Sequence, residues 1–331
     1  MVNLQGVSSV DNLVGALGPL FYGGLIGPTQ GNVWFVRPYS GNDSNPGNNP
    51  DSAFQSLTRA LGAATPNQND IVVLLSESNA AAGTTSYQNA NLNWDKDGVH
   101  LIGVNSGCLW NQRSRIAFQS GFATAAELFT LSANNCLIQG VSMFMGVASA
   151  LPLGCMTVSG AHNHIRECHI QGFGNAANDI AAAYSLKIAG AENYFQDCTI
   201  GNDTVTLGAQ ANCEILSAAG CVRNYFRGCR VQLYTDHATN HVFLRALAGT
   251  FDRFIWFDNC LFYNPIQSGS TSLTEAFVVT SGGSPNGMII VSGSDAGFVG
   301  AGKWNATAAG NVYGIGGNVV DTTTGYPVAL T

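Results

Sequence analysis

Apolar residues fall at alternate positions in short runs along this chain, and the runs return at intervals of about thirty residues. Three segments show the pattern most openly: His162-Asn-His-Ile-Arg-Glu-Cys-His-Ile170, Glu192-Asn-Tyr-Phe-Gln-Asp-Cys-Thr-Ile200 and Arg223-Asn-Tyr-Phe-Arg-Gly-Cys-Arg-Val231. A fourth, Ile255-Trp-Phe-Asp-Asn-Cys-Leu-Phe262, keeps the apolar positions. The shared template is apolar-x-x-Cys-x-apolar, met at Ile165/Cys168/Ile170, Phe195/Cys198/Ile200, Phe226/Cys229/Val231 and Phe257/Cys260/Phe262. Its cysteines are 30, 31 and 31 residues apart. An earlier copy, Ile138/Val141/Met143, puts valine in the cysteine position 27 residues upstream. Ten to twelve residues before the first template positions lie further alternating pairs, Phe129/Leu131, Met156/Val158 and Leu186/Ile188. Alternation of this kind predicts half-buried strands. Between the two strands comes a turn with Gly160, Gly190 or Gly220, followed by Asn163, Asn193 or Asn224 in one slot. Asparagine tolerates bent backbone and hydrogen-bonds its own copy one coil away, so a short ladder is expected there.

One such unit cannot bury its inward face alone. Stacked about 4.8 Å apart, successive units bury a continuous apolar column and pair each strand with its equivalents above and below. The three-residue gap from Ile165 to Cys168 breaks the alternation and marks a bend between strands. The pattern predicts an all-β fold, a single-stranded right-handed parallel β-helix with three strands and about thirty residues per coil. A helical solenoid of the same period fails, because the segments alternate with period two and are broken by Gly and Asn.

The ends read differently. Val33-Trp-Phe-Val-Arg37 is a strand and Gly41-Asn-Asp-Ser-Asn-Pro-Gly-Asn-Asn-Pro50 a turn-rich loop. A helix is expected from a cap near Asp51 or Ser52, with Phe54, Leu57 and Leu61 on one face, before the strand Ile71-Val-Val-Leu-Leu75. This entry segment and the coil template resemble the pectate-lyase-like superfamily of parallel β-helices, which often open with an aromatic strand, a Gly-x-Asp-Ser-x-x-Gly loop and a capping helix. The resemblance implies a capped β-helix over residues 32–295. A cap is needed because the first coil otherwise exposes unpaired edges. Residues 1–31 form an apolar, glycine-broken N-terminal arm that folds back over the β-helix or extends into a partner, and the Gly/Ala/Thr-rich residues 296–331 form a tail that seals the last coil or meets another subunit.

Composition narrows the function. Only 10% of residues are charged and the net charge is −7, with lysine at three positions alone, so no basic stripe exists to neutralise phosphates and no nucleic-acid partner is expected. Five arginines between Arg223 and Arg253 read as solvated positions on adjacent coils. No stretch reaches the roughly 18 apolar residues that span a bilayer, so no membrane partner is expected. Residues Met1 to Asp11 lack the basic and apolar regions of a secretory signal. Nine cysteines without a C-x-x-C pair, several at coil spacing, read as stacked buried thiols made in a reducing cytoplasm.

Catalytic chemistry finds little support. Glycoside hydrolysis needs two carboxylates about 5–9 Å apart. Glu167 and Asp197 share the slot before the cysteine, but Gly228 and Asn259 follow in it, and bends of this kind attract turn-forming residues. Asp179, Asp203 and Asp236 sit in loops at different offsets and define no slot. The Asn-Thr-Asp, Asp-Asp, Gly-His-Gly and Arg-Ile-Lys signatures of polygalacturonase-like members of the superfamily are absent, as is a lyase-type aspartate cluster. His162-x-His164 with His169 lacks the further ligands that zinc or iron requires, Asp43 belongs to a turn that needs no calcium, and Gly314-Ile-Gly-Gly317 has no strand–helix context for a phosphate. No catalytic, cofactor or metal residue is assigned.

Three classes remain: a virion structural protein, a tailspike, and a polysaccharide-cleaving enzyme. The chain resembles tailed-bacteriophage structural proteins that join an apolar arm to a short capped β-helix. That resemblance implies a capsid decoration or cement protein, a homotrimer on the major capsid protein of the head, with polysaccharide as partner only in the two alternatives. Leu20, Phe21, Tyr22 and Leu25 of the arm are the expected partner-binding residues.

Overall fold

The computed structural model describes residues 31–75, 85–104, 114–124, 126–246, 249–265, 269–279, 287–293, 297–304, 312–315, 319–320 and 327–328. Three parallel sheets dominate it. The first runs from Val33–Val36 through ten strands to Val312–Ile315. The second has seven, from Leu92–Trp94 to Phe277–Val279, and the third eight, from Thr85–Gln88 to Gly297–Val299. Each coil passes from the first sheet to the third, crosses a longer loop to the second, and returns to the first, forming a right-handed parallel β-helix. Right-handed crossovers follow from the right-handed twist of L-residue strands.

Register is carried by three inward columns. Leu101, Ile138, Ile165, Phe195, Phe226 and Phe257 stack in the first sheet. Ile116, Met143, Ile170, Ile200, Val231 and Phe262 stack in the third. Phe129, Met156, Leu186, Ile215, Leu244 and Phe277 stack in the second. All eighteen are 0% exposed. Burying each is worth about 1.5–3 kcal/mol, and a one-residue slip in any strand would turn the column outward, so the columns enforce register as well as stability. The Phe195 and Phe226 rings stack 4.4 Å apart at 5°, so aromatic contact runs along the same axis as the ladder.

The two tight bends are built from repeated residues. Glu167, Asp197, Gly228 and Asn259 occupy the slot before the cysteine with φ between 50° and 63°, the left-handed conformation that turns the chain from first sheet to third. Beneath them Cys168, Cys198, Cys229 and Cys260 form one buried file, each thiol donating to the carbonyl of an inward residue one coil below, as Cys198 does to Ile165 at 3.5 Å. At the other bend the asparagine ladder forms. The Asn163 amide donates to Asn193 Oδ1 and the Asn193 amide to Asn224 Oδ1, both at 3.0 Å, and the side-chain amides donate to Ala133, Gly160 and Gly190 carbonyls. Each buried asparagine thus satisfies backbone groups that would cost about 1–3 kcal/mol apiece if left unpaired. Gly190 is needed for space, since a Cβ there would lie 2.0 Å from the Gly160 carbonyl oxygen.

The cap differs in one respect from the sequence reading. The α-helix spans Leu57–Ala63 with Ser56 as its cap, rather than starting near Asp51 or Ser52. Asn49 accepts from the Asp51 and Ser52 amides and closes a separate 3-10 turn, Pro50–Ser52. Phe54 then lies in an extended link bridging to Val36, its ring stacked 5.9 Å from Trp34. Phe54, Leu57, Ala60 and Leu61 close the core over Val72 and Leu74. Lys96 donates to the Gly62 and Ala64 carbonyls and satisfies the helix C-terminus. At the opposite end the sheets run on past residue 295. Gly297–Val299 pairs in register with Leu261–Tyr263, and Val312–Ile315 with Ile289–Ser292.

Candidate functional site

The carboxylates singled out in the sequence are held by local structure. Glu167 accepts from Arg166 at 2.9 Å and from Gln139 at 3.2 Å; the Arg166 hydrogen bond, with partial burial opposing it, holds its carboxyl below the usual range. Asp197 accepts from Gln196 at 3.0 Å. From their left-handed turn positions, Glu167 is thus held by its own strand and the coil before it, and Asp197 by its own strand and beside Gly228 of the next coil. Asp179 accepts from the Gly208 and Ala209 amides and from Asn212, and Asp236 packs at Gly208, so these aspartates organise the loops between third and second sheets. Asp203 lies in the same run of loops, half-buried.

The three histidines diverge. His162 sits in a turn with its ring 3.2 Å from Glu192, His164 stacks on Tyr194 on the outside of the first sheet, and His169 is buried in the third. No group of three His, Cys, Asp or Glu among the described residues lies close enough together to hold a metal. Asp43 accepts from the Gln55 and Ser56 amides and from the Ser56 hydroxyl at 2.7–2.9 Å, so both of its oxygens are engaged at the helix entrance. Of the Gly314–Gly317 stretch, Gly314 and Ile315 belong to a strand and the rest lies outside the described residues. Arg223 pairs with Glu192 and Arg245 donates to the Asn212 and Asn240 carbonyls, so these two of the five arginines serve neighbouring coils. Leu20, Phe21, Tyr22 and Leu25 lie outside the described residues.

Two polar constellations escaped the sequence reading because their rows hold a different residue type in each coil, as Glu127, Gly154 and Tyr184 do. On the outer side of the second sheet, Glu127 accepts from Lys187 at 2.9 Å and from the Tyr184 hydroxyl at 2.7 Å, with Thr157 at 3.1 Å from that hydroxyl. Burial pushes the Glu127 carboxyl upward, but the Lys187 and Tyr184 hydrogen bonds and the lysine charge outweigh it and hold it low. Burial first, then the adjacent carboxylate, drives the Tyr184 phenol far up. The result is a neutralised trio with a fixed anion, able to orient hydroxyl groups. It supplies one carboxylate, where glycoside hydrolysis by acid and base needs two.

The second constellation is a buried chain at the corner between third and second sheets. Ser185 donates to Glu214, Glu214 faces His241 Nε2 at 2.9 Å, His241 Nδ1 meets Asn212 Oδ1, and Asn212 donates to Asp179 at 2.7 Å. Glu214, His241 and Asn212 are 0% exposed. Both ring nitrogens of His241 are engaged, Nε2 by Glu214 and Nδ1 by Asn212. Buried pairs of this kind persist only when every atom is satisfied. Gly201 makes room for it, as a Cβ there would lie 2.6 Å from the Glu214 carboxyl.

No family model matches the sequence, and no curated protein does. Among solved structures, pectate lyase Pel9A superposes with a TM-score of 0.52 at 15% identity, over 86% of this chain and 74% of that one. A pectin methylesterase in complex with a hexasaccharide gives 0.50 at 14% identity, over 86% of this chain and 92% of that one. Full-length tailspike protein 2 from the Escherichia coli O157:H7 bacteriophage CAB120 gives 0.35 at 8% identity, over 77% of this chain and 39% of that one. At these identities the likeness is one of fold: the chain shares a right-handed parallel β-helix with the first two of these structures.

Proposed function

We propose that this chain is a structural protein of a bacteriophage virion, a decoration protein that stands as a homotrimer on the head shell. The observation that carries the reading is the use of its stacked carboxylates. Glu167 and Asp197 are turn residues, Glu167 bonded to Arg166 and to Gln139 of the neighbouring coil and Asp197 to Gln196, and Asp179 holds its loop in place. A stack capped by a helix and held by buried columns suits a rigid surface element. Residues 1–31, with Leu20, Phe21, Tyr22 and Leu25, are the segment assigned to the major capsid protein. Copurification of the full chain with assembled capsids, lost on deletion of residues 1–28, is the expected result. Undiminished capsid binding by the deleted chain would refute the assignment of the arm.

A second reading rests on the Glu127–Lys187–Tyr184 trio and on the pectin-acting names of the two structures superposed best above. In it the chain acts on an acidic polysaccharide at the second sheet. Release of reducing ends from a host surface polysaccharide, abolished by Glu127→Gln, would favour this reading over the first.

A further inference from the structure

The segment ahead of the first strand is apolar and uncharged. Between Asp11 and Arg37 the chain carries no acidic or basic side chain, and Leu17, Leu20, Phe21, Tyr22, Leu25 and Ile26 crowd into one short stretch. Apolar groups at that density call for a surface that takes them out of water.

A trough of matching chemistry opens at the end of the stack where this segment joins. It lies outside the third sheet at Thr85–Gln88, the edge strand on the cap side, just as Val33–Val36 is the edge strand of the first sheet. Tyr87 stands between its two chambers and lines both. The first, of about 430 Å³, is walled by Phe118, Phe122, Phe144 and Val147, with Phe118 and Phe122 stacked 3.9 Å apart. Sheet register shapes it, since Tyr87, Ala117 and Phe144 are successive partners and the small Ala117 leaves a depression between the two rings. Tyr87 is 49% exposed, and Leu151, two residues past Ser149 of the wall, is 48% exposed, so apolar surface is left facing outward. Arg115 is the one charged residue along either chamber, and it is engaged within the chain, over the Phe144 ring and elsewhere.

The second chamber, of about 450 Å³, adjoins the cap through Pro38, Gln55 and Ser56. Its lining is hydroxyl and amide, with Ser86 and Gln119 beside Gln55. On its wall the Thr85 hydroxyl is buried without a hydrogen-bond partner among the described residues, an arrangement that calls for a donor or acceptor from elsewhere.

An extended peptide supplies what both chambers ask for, apolar side chains for one and backbone amide and carbonyl groups for the other. The segment before Gly31 is such a peptide, and it is tethered at the right end. Extended, the residues from Tyr22 to Gly31 reach up to about 30 Å. The tether holds them at high local concentration, so modest contacts suffice to seat them. We propose that residues 19–28 lie in this trough in the unbound protein, with Phe21 and Tyr22 in the apolar chamber and the Gly23–Gly27 backbone crossing the polar one beside the cap. The seat deepens the structural reading above and rests on it only for the arm's second partner: held on its own chain, the arm stays covered until the head shell takes it.

Replacing Tyr22 of the full chain by the photo-crosslinker benzoylphenylalanine and mapping the products by mass spectrometry tests the proposal. Products with residues 85–88, 115–122 or 144–149 are expected. Tyr87→Glu, at an exposed position, sets a charge among the rings and should cut their yield roughly tenfold, whereas Tyr87→Phe should keep it. Products elsewhere on the chain, no products, or an undiminished yield in Tyr87→Glu would each overturn the seat. In a mixture of isotopically heavy and light chains the products should join like to like, and heavy-to-light products would overturn the seat on the same chain. Should Tyr87→Glu fail to fold, as judged by circular dichroism, the map on the unaltered trough and the isotope mixture decide alone. Capsids enter none of these measurements, so a failure of capsid binding would strike the structural reading and leave the seat standing.

Discussion

At the scale of single residues, the protein places polar groups where a coil must bend and fixes their chemistry through burial. His100 and His169 show the consequence. Burial pushes both imidazoles down to about 4, and His100 is held neutral further by the Leu137 amide, which donates to its Nδ1 at 3.0 Å. In the unfolded chain a histidine takes up its proton near 6.5, so below that pH the unfolded state binds protons that the folded state refuses. The contribution is whole above 6.5 and is lost as the pH falls toward 4. It amounts to about 3 kcal/mol per histidine at most, at about 1.4 kcal/mol per pH unit. Melting temperatures should fall between pH 6.5 and 4.5, before a carboxyl such as Glu127 titrates, and replacing both histidines by glutamine should flatten that limb. A flat profile across that window in the unaltered protein would contradict the assignment.

At the scale of elements, the entry loop and the helix form one unit held by Asp43. Its carboxylate takes the Gln55 and Ser56 amides and the Ser56 hydroxyl, while Ser56 takes the Arg59 amide and starts the helix. Asp43→Ala should lower stability by about 1–2 kcal/mol, seen as a drop in melting temperature, because it removes the anchor of a cap. Added calcium should leave the melting temperature of the unaltered protein where it is, since the carboxylate is already engaged. A rise with calcium would make this loop an ion site. On the outside of the first sheet, His164, Tyr194 and Tyr225 stack with ring centroids 4.7 and 5.3 Å apart. Those rings face one another along the stack, so they stiffen it, whereas Tyr87 on the third sheet is offered to solvent.

At the scale of the whole molecule, each coil touches only its neighbours, and stability accumulates along the stack. Among the described residues eight of the nine cysteines, Cys136, Cys155, Cys168, Cys198, Cys213, Cys221, Cys229 and Cys260, are buried and free. Burial pushes the thiols of Cys155, Cys168, Cys198 and Cys229 far up, Cys221 to about 11 and Cys136 and Cys213 to about 12, which removes the reactive thiolate at neutral pH. A thiol reagent should modify none of these eight in the native protein and all of them in denaturant, read by mass spectrometry. Fast native labelling of the Cys168–Cys260 file would show that the coils open one by one.

The sequence by itself determined the coil. Stacking demands the same residue type at the same offset in every turn, so the cysteine file, the asparagine ladder and the inward columns were all written as a thirty-residue period. It also placed the cap, though not its first turn: the helix expected from Asp51 or Ser52 begins at Leu57, because Asn49 closes a separate 3-10 turn and Asp43 captures Ser56 as the helix cap. The tertiary structure alone decided the rest. The Glu127–Lys187–Tyr184 trio and the buried chain from Ser185 to Asp179 join residues in shared strand rows whose type changes from coil to coil: Glu127, Gly154 and Tyr184 form one row, Thr130, Thr157 and Lys187 another, and Asn212 and His241 a third. Periodicity reports what repeats, and a site is made where the repeat is broken. Its members meet only once the stacked strands have fixed which loop lies over which.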